Sequence, residues 1–115
     1  MKIGEVSLNT NDVFALANFY RQLFRIEDQN SDPVHQVILS EGAWLTLYND
    51  GSMKNNSNQN ISLAFTVDNI YAEYQRLLAL GVKIIQKPTR QPWGATNLSF
   101  CDPDGNVIYF RSFTE

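Results

Sequence analysis

Few side chains in this 115-residue sequence could do chemistry, and the first candidates are single residues. His35 is its one histidine and Cys101 its one cysteine, so any Cys–His or Ser–His–Asp device would have to use them. His35 follows Pro33-Val34 with no acidic residue at a telling spacing, and reads as a surface residue. Cys101 ends an alternating run with no obvious activating base nearby, and reads as a plain buried thiol. Asp102, Asp104 and Asn106 resemble the head of a calcium loop. However, Gly105 stands fourth where an EF-hand needs it sixth, and Phe113 stands twelfth where it needs Glu. A hairpin turn is the better reading. No phosphate loop or dinucleotide glycine fingerprint is present.

What remains is one carboxylate, several hydroxyls and a set of aromatic rings: Glu5, Ser7, Trp44, Thr46, Tyr48, Ser62, Ala64, Trp93 and Tyr109. A carboxylate beside aromatic faces suits a planar or cationic organic ligand. Trp93 stands in a Pro- and Gly-flanked loop over residues 86–95, where an exposed large aromatic calls for an explanation.

Alternation and capping signals supply the elements that hold these residues. Residues 1–9 alternate, with Val6 and Leu8 on one face and Glu5 and Ser7 on the other. Asn11-Asp12 offers an N-cap to a helix carrying Val13, Leu16, Ala17, Tyr20 and Phe24. Residues 34–40 and 44–48 flank a Glu41-Gly42 turn. The pattern then restarts. Residues 61–67 alternate, and Asp68-Asn69 caps a helix carrying Ile70, Tyr74, Leu77 and Leu78, which Gly81 can end in the left-handed conformation. Residues 82–86, 95–101 and 107–111 read as strands, the last two joined by Asp102-Pro103-Asp104-Gly105-Asn106.

A shift of 57 carries Glu5-Val6-Ser7-Leu8 onto Ser62-Leu63-Ala64-Phe65, and a shift of 63 carries Trp44-Leu45-Thr46-Leu47 onto Val107-Ile108-Tyr109-Phe110. The expected fold is therefore α+β: one domain over 1–115 made of two tandem βαβββ modules, about 1–50 and 60–115. They are joined by the polar linker 49–60. One face of each sheet covers its helix. The other, carrying Glu5, Ser7, Trp44, Thr46, Tyr48, Ser62, Ala64, Thr66, Val107 and Tyr109, lines a concave cavity of mixed polar and aromatic character.

Composition narrows the functions. The chain is 43% hydrophobic and 18% charged, as expected of a folded domain with a core. Its net charge of −3, with Lys and Arg scattered singly, excludes a generic nucleic-acid binder. No segment approaches the ~20 apolar residues of a membrane span. Residues 1–5 lack the apolar run of a signal peptide, and a lone cysteine suits a reducing compartment, so a cytoplasmic location is expected.

The whole chain resembles the vicinal oxygen chelate superfamily, which includes glyoxalase I, the bleomycin-resistance proteins and the extradiol dioxygenases. The residues that carry the likeness are Phe19-Tyr20-Arg21-Gln22-Leu23, Phe65-Thr66-Val67-Asp68, Pro92-Trp93-Gly94 and Asp102-Pro103-Asp104-Gly105-Asn106. The resemblance implies a homodimer, and it implies four metal-ligand positions, typically His or Glu. Here those positions hold Glu5, Thr46, Ser62 and Tyr109. Only Glu5 is an ordinary ligand, and a transition metal normally needs about three. No cofactor is expected.

The resemblance thus points to the metal-free, ligand-sequestering branch, with a small cationic or aromatic organic molecule as partner. The alternatives are an enzyme of the lyase, isomerase or dioxygenase type, with an atypical metal site or with acid–base chemistry at Glu5 and Tyr109, and an interaction module that has lost its ligand. One departure is local. Arg25 stands where the family often has Gly after the first helix, which costs about 1 kcal/mol if its φ is positive.

Overall fold

Asp12 starts the first helix as the sequence requires: its carboxylate accepts from the Ala15 N–H at 3.1 Å. In the computed structural model, which describes residues 1–55 and 61–113, the chain divides into two units, Met1–Asn55 and Asn56–Glu115. The division falls inside the 49–60 stretch, of which residues 56–60 lie outside the described residues.

The first unit runs β1 (Glu5–Asn9), α1 (Val13–Phe24), β2 (His35–Leu39) and β3 (Trp44–Tyr48). Its sheet has the order β1-β3-β2, with β1 parallel and β2 antiparallel to β3. α1 packs on β2 and β3. It buries Val13, Leu16, Ala17, Tyr20 and Leu23. The stripe thus closes on Leu23, seven residues after Leu16, while Phe24 rides half-buried at its margin. Arg21 ties the helix end to the sheet. Its guanidinium donates to Gln36 Oε1 and pairs with Asp28 at 3.2 Å. Gln36, itself buried, donates to the Asp32 carbonyl at 2.9 Å.

The second unit runs β4 (Leu63–Thr66), α2 (Ile70–Ala79), β5 (Lys83–Arg90), β6 (Thr96–Cys101) and β7 (Val107–Ser112). Its sheet has the order β4-β7-β6-β5, with β4 parallel to β7 and the other pairs antiparallel. α2 packs on β5, β6 and β7 over a core of Leu77, Leu98, Phe100, Ile108 and Phe110. Asn69 caps the helix through Ala72 N–H at 3.1 Å. Gly81 takes φ +76 just beyond its end, a conformation open to glycine without a Cβ penalty. Leu78 departs from the expected stripe: it is exposed, and Ile70 with Leu77 carries the buried face.

Two α+β modules in tandem are what the repeat predicts. Among the described residues the second unit shows all four strands of βαβββ and the first shows three. The reason lies between α1 and β2. There Asp28, Asn30 and Asp32 each accept from the N–H two residues ahead, at 2.8, 3.0 and 2.8 Å. These side chains take up backbone donors that a strand would offer to a ladder.

Arg25 adopts φ 57, ψ 46, and Ile26 N–H closes the helix end on the Arg21 carbonyl at 2.9 Å. It is the one non-glycine at positive φ among the described residues. Arg25→Gly removes the Cβ clash and loosens the unfolded chain, for an expected net gain of about 0.5–1 kcal/mol. A thermal melt should move up by roughly 3–5 °C. A lower midpoint would mean that the arginine side chain holds the helix end by more than the strain it imposes.

Candidate functional site

Parallel pairing of β1 with β3 sets Glu5 beside Trp44, Ser7 beside Thr46 and Asn9 beside Tyr48. Since Leu45 and Leu47 are buried and α1 packs on β3, alternation puts Glu5, Ser7, Trp44, Thr46 and Tyr48 on the opposite face of this sheet. The Thr46 hydroxyl donates to Glu5 Oε2 at 2.6 Å, a short charge-assisted bond. Thr46 is buried, whereas Glu5 is exposed. Glu5 Oε1 makes no hydrogen bond among the described residues. Trp44 is 47% exposed. The result is a fixed carboxylate with one open oxygen next to an open indole face.

Tyr48 extends this surface. Its ring meets the ring of His35, its partner across β2–β3, edge to face at 6.1 Å. His35 is exposed, as a surface residue should be. Its pairing with Tyr48 escaped the sequence reading because a register shift between Val37 and Leu39 aligns β2. Asp32 lies just before it. The N–H groups of Val34 and His35 hold its carboxyl below the usual carboxylate range, which sets a negative charge at the Tyr48 end of the sheet, opposite the end that carries Glu5.

In the second unit, Ala64 pairs with Tyr109, and Tyr109 pairs with Ser99 on its other side. Tyr109 is half-buried and Ala64 exposed. Ser62 sits just before β4, exposed and outside the ladder. Trp93 is 69% exposed on a tight turn closed by Gln91 N–H on the Ala95 carbonyl at 2.7 Å. Cys101 is half-buried at the end of β6, not fully buried. Arg111 was not among the residues singled out from the sequence. Strand alternation from Tyr109 puts it on the same face, and that signal was present.

The structure thus collects Glu5, Ser7, Trp44, Thr46 and Tyr48 on one sheet of the first unit, and Ala64 and Tyr109 on one sheet of the second. Glu5 bonds to Thr46, and its proposed acid–base partner Tyr109 belongs to the other unit. The donor set at the four ligand positions does not fit a transition metal: one carboxylate, already accepting from a neutral hydroxyl, with a serine and a phenol. Among the described residues no three His, Cys, Asp or Glu side chains gather as a metal would require.

The family model of the Glyoxalase/Bleomycin resistance protein/Dioxygenase superfamily matches residues 2–110. The uncharacterized protein YetH of Bacillus subtilis (strain 168) is 30% identical over 67 residues, which is 58% of this chain and 55% of that protein. Among solved structures, a glyoxalase/bleomycin resistance protein/dioxygenase family enzyme from Burkholderia phytofirmans PsJN matches with TM-score 0.82 at 17% identity, over 99% of this chain and 100% of that one. Lactoylglutathione lyase from Agrobacterium tumefaciens matches with TM-score 0.74 at 21% identity, over 96% and 92%. At these identities the structures show a shared fold.

Proposed function

The chain belongs to the glyoxalase/bleomycin resistance protein/dioxygenase superfamily, and within it we propose a metal-free binding protein that sequesters a small cationic or aromatic organic molecule. The observation that carries this reading is the Glu5–Thr46 bond at 2.6 Å. At a position where metal-using relatives keep a carboxylate, this chain puts a neutral hydroxyl that orients Glu5. The remaining oxygen is left to meet an ammonium or amidinium group, with Trp44 alongside for its apolar or π face. Trp93 offers a second open indole from its turn. The same reading takes residues 1–115 as one domain of two modules and the protein as a cytoplasmic homodimer. No helix of the described residues is long and apolar enough to cross a membrane.

The test is a melting scan against a panel of organic cations, antibiotics and metabolites, with Zn²⁺, Ni²⁺, Mn²⁺ and Fe²⁺ run alongside. At least one organic cation should raise the wild-type midpoint and quench tryptophan fluorescence. Glu5→Gln should weaken that ligand by about 10–100-fold, the worth of one charge-assisted hydrogen bond. Stabilisation by several degrees from one of the metal ions, with no organic ligand bound, would overturn the reading and return the protein to the enzymes.

A further inference from the structure

The two sheets differ in charge. The strands of the first contain Glu5 and no Lys or Arg. The four strands of the second contain Lys83, Lys87, Arg90 and Arg111 and no Asp or Glu, in a chain whose net charge is −3. A cationic surface within an acidic protein attracts anions that the rest of the molecule repels.

We propose that the second unit's sheet binds a phosphoryl group at Arg111, on the face turned away from α2. Register builds one row across three strands there, with Thr66 opposite Arg111 and Arg111 opposite Asn97. Arg111 is held on two sides. Its Nε donates to Thr66 Oγ1 at 3.0 Å, and its guanidinium carbon lies 5.2 Å from the centre of the Phe113 ring. The terminal Nη groups make no hydrogen bond or ion pair among the described residues. A planar guanidinium oriented through Nε and a ring face presents its two outer N–H groups side by side. That is the fork which grips two oxygens of one phosphate.

The adjoining residue narrows the ligand. Asn97 Oδ1 is buried and has no hydrogen-bond partner among the described residues. A buried carbonyl oxygen without a donor is costly, and it is the kind of group a ligand is expected to complete. A phosphate that keeps one P–OH proton meets both requirements: its oxygens accept from Arg111, and its hydroxyl donates to Asn97. A carboxylate meets only the first. Tyr109, half-buried in the next row, offers its hydroxyl to the remainder of the molecule that carries the phosphate. This inference uses the second unit alone and stands apart from the cation site at Glu5.

The experiment is a titration of the ¹⁵N-labelled full chain with inorganic phosphate and, separately, with acetate, in low-salt buffer near neutral pH. Phosphate should give saturable shifts at the backbone amides of residues 97–99 and 109–111, and should bind more tightly than acetate. Arg111→Gln should weaken phosphate by at least ~10-fold, with Arg111→Lys in between because it loses the fork. Asn97→Ala should weaken phosphate and leave acetate nearly unchanged. Arg111 is exposed, so both of its variants should melt like the wild type, and the lysine variant keeps the comparison open if glutamine disturbs the strand. Absence of saturable shifts at those amides overturns the proposal, as does wild-type phosphate affinity in folded Arg111→Gln. Acetate binding as tightly as phosphate overturns the phosphoryl assignment.

Discussion

Replacing Phe100 with alanine is expected to cost about 3–5 kcal/mol of stability and to lower the melting midpoint by roughly 15–20 °C. Phe100 has no exposed surface and lies in the middle of the second unit's sheet, on β6 between Ile84 of β5 and Ile108 of β7. Its ring meets Phe110 edge to face at 5.0 Å, and Phe110 meets Phe65 at 6.5 Å and 84°. Three phenylalanines from three strands thus interlock on the side that faces α2. Removing the Phe100 ring leaves a hole that neighbours fixed by ladder hydrogen bonds cannot close. Phe100→Leu keeps most of the volume and should cost less than about 1.5 kcal/mol. Denaturant melts of both variants check this. A loss below about 1 kcal/mol in the alanine variant would show a core able to collapse into the space.

Much of this fold was legible because its signals are local. Trp44–Tyr48 was delimited to the residue by alternation, and both N-caps stood where Asp12 and Asn69 announce them. Gly81 marked the end of α2 by the only property glycine brings there, freedom at positive φ. Arg25 shows the converse: the αL geometry is demanded by the helix end, and the residue accepts it despite its Cβ. What the sequence concealed depends on partners far along the chain. That Asx turns would replace a strand between α1 and β2 rests on competition between side-chain and ladder acceptors, which alternation does not register. Thr46 was placed on the correct face, but its burial and its bond to Glu5 depend on how β1 and β3 pair in register. The Thr66–Arg111–Asn97 row likewise exists only once three strands are aligned.

Alignment itself turns on one residue, so Asp102→Ala should rank with Phe100→Ala in effect. Asp102 is buried, and its carboxylate fills the β6–β7 turn. Oδ1 accepts from the N–H groups of Asp104 and Asn106, both at 2.9 Å, and Oδ2 from Asn106 Nδ2 at 2.8 Å. The turn's own donors therefore occupy the oxygens that a calcium loop would offer to an ion. Backbone bonds close the same five residues: Asp102 N–H on the Asn106 carbonyl at 3.0 Å, and Gly105 N–H on the Asp102 carbonyl at 2.9 Å. Alanine strips away the acceptors while Asn106 stays buried, leaving donors unpaired at about 1–3 kcal/mol each, for an expected total of about 3–4 kcal/mol. Asparagine keeps one acceptor but turns an amide toward Asn106 Nδ2, donor against donor, and should cost about 1–2 kcal/mol. Thermal melts rank the variants, and amide exchange at Asn106 should quicken in both. An alanine variant melting within about 2 °C of the wild type would show that the backbone bonds alone hold the turn. The consequence reaches the binding face: this turn fixes Cys101 opposite Val107, and from it Ser99 opposite Tyr109 and Asn97 opposite Arg111. Because side chains alternate along a strand, a slip of one residue there would turn Tyr109 and Arg111 toward α2 and dismantle both rows together.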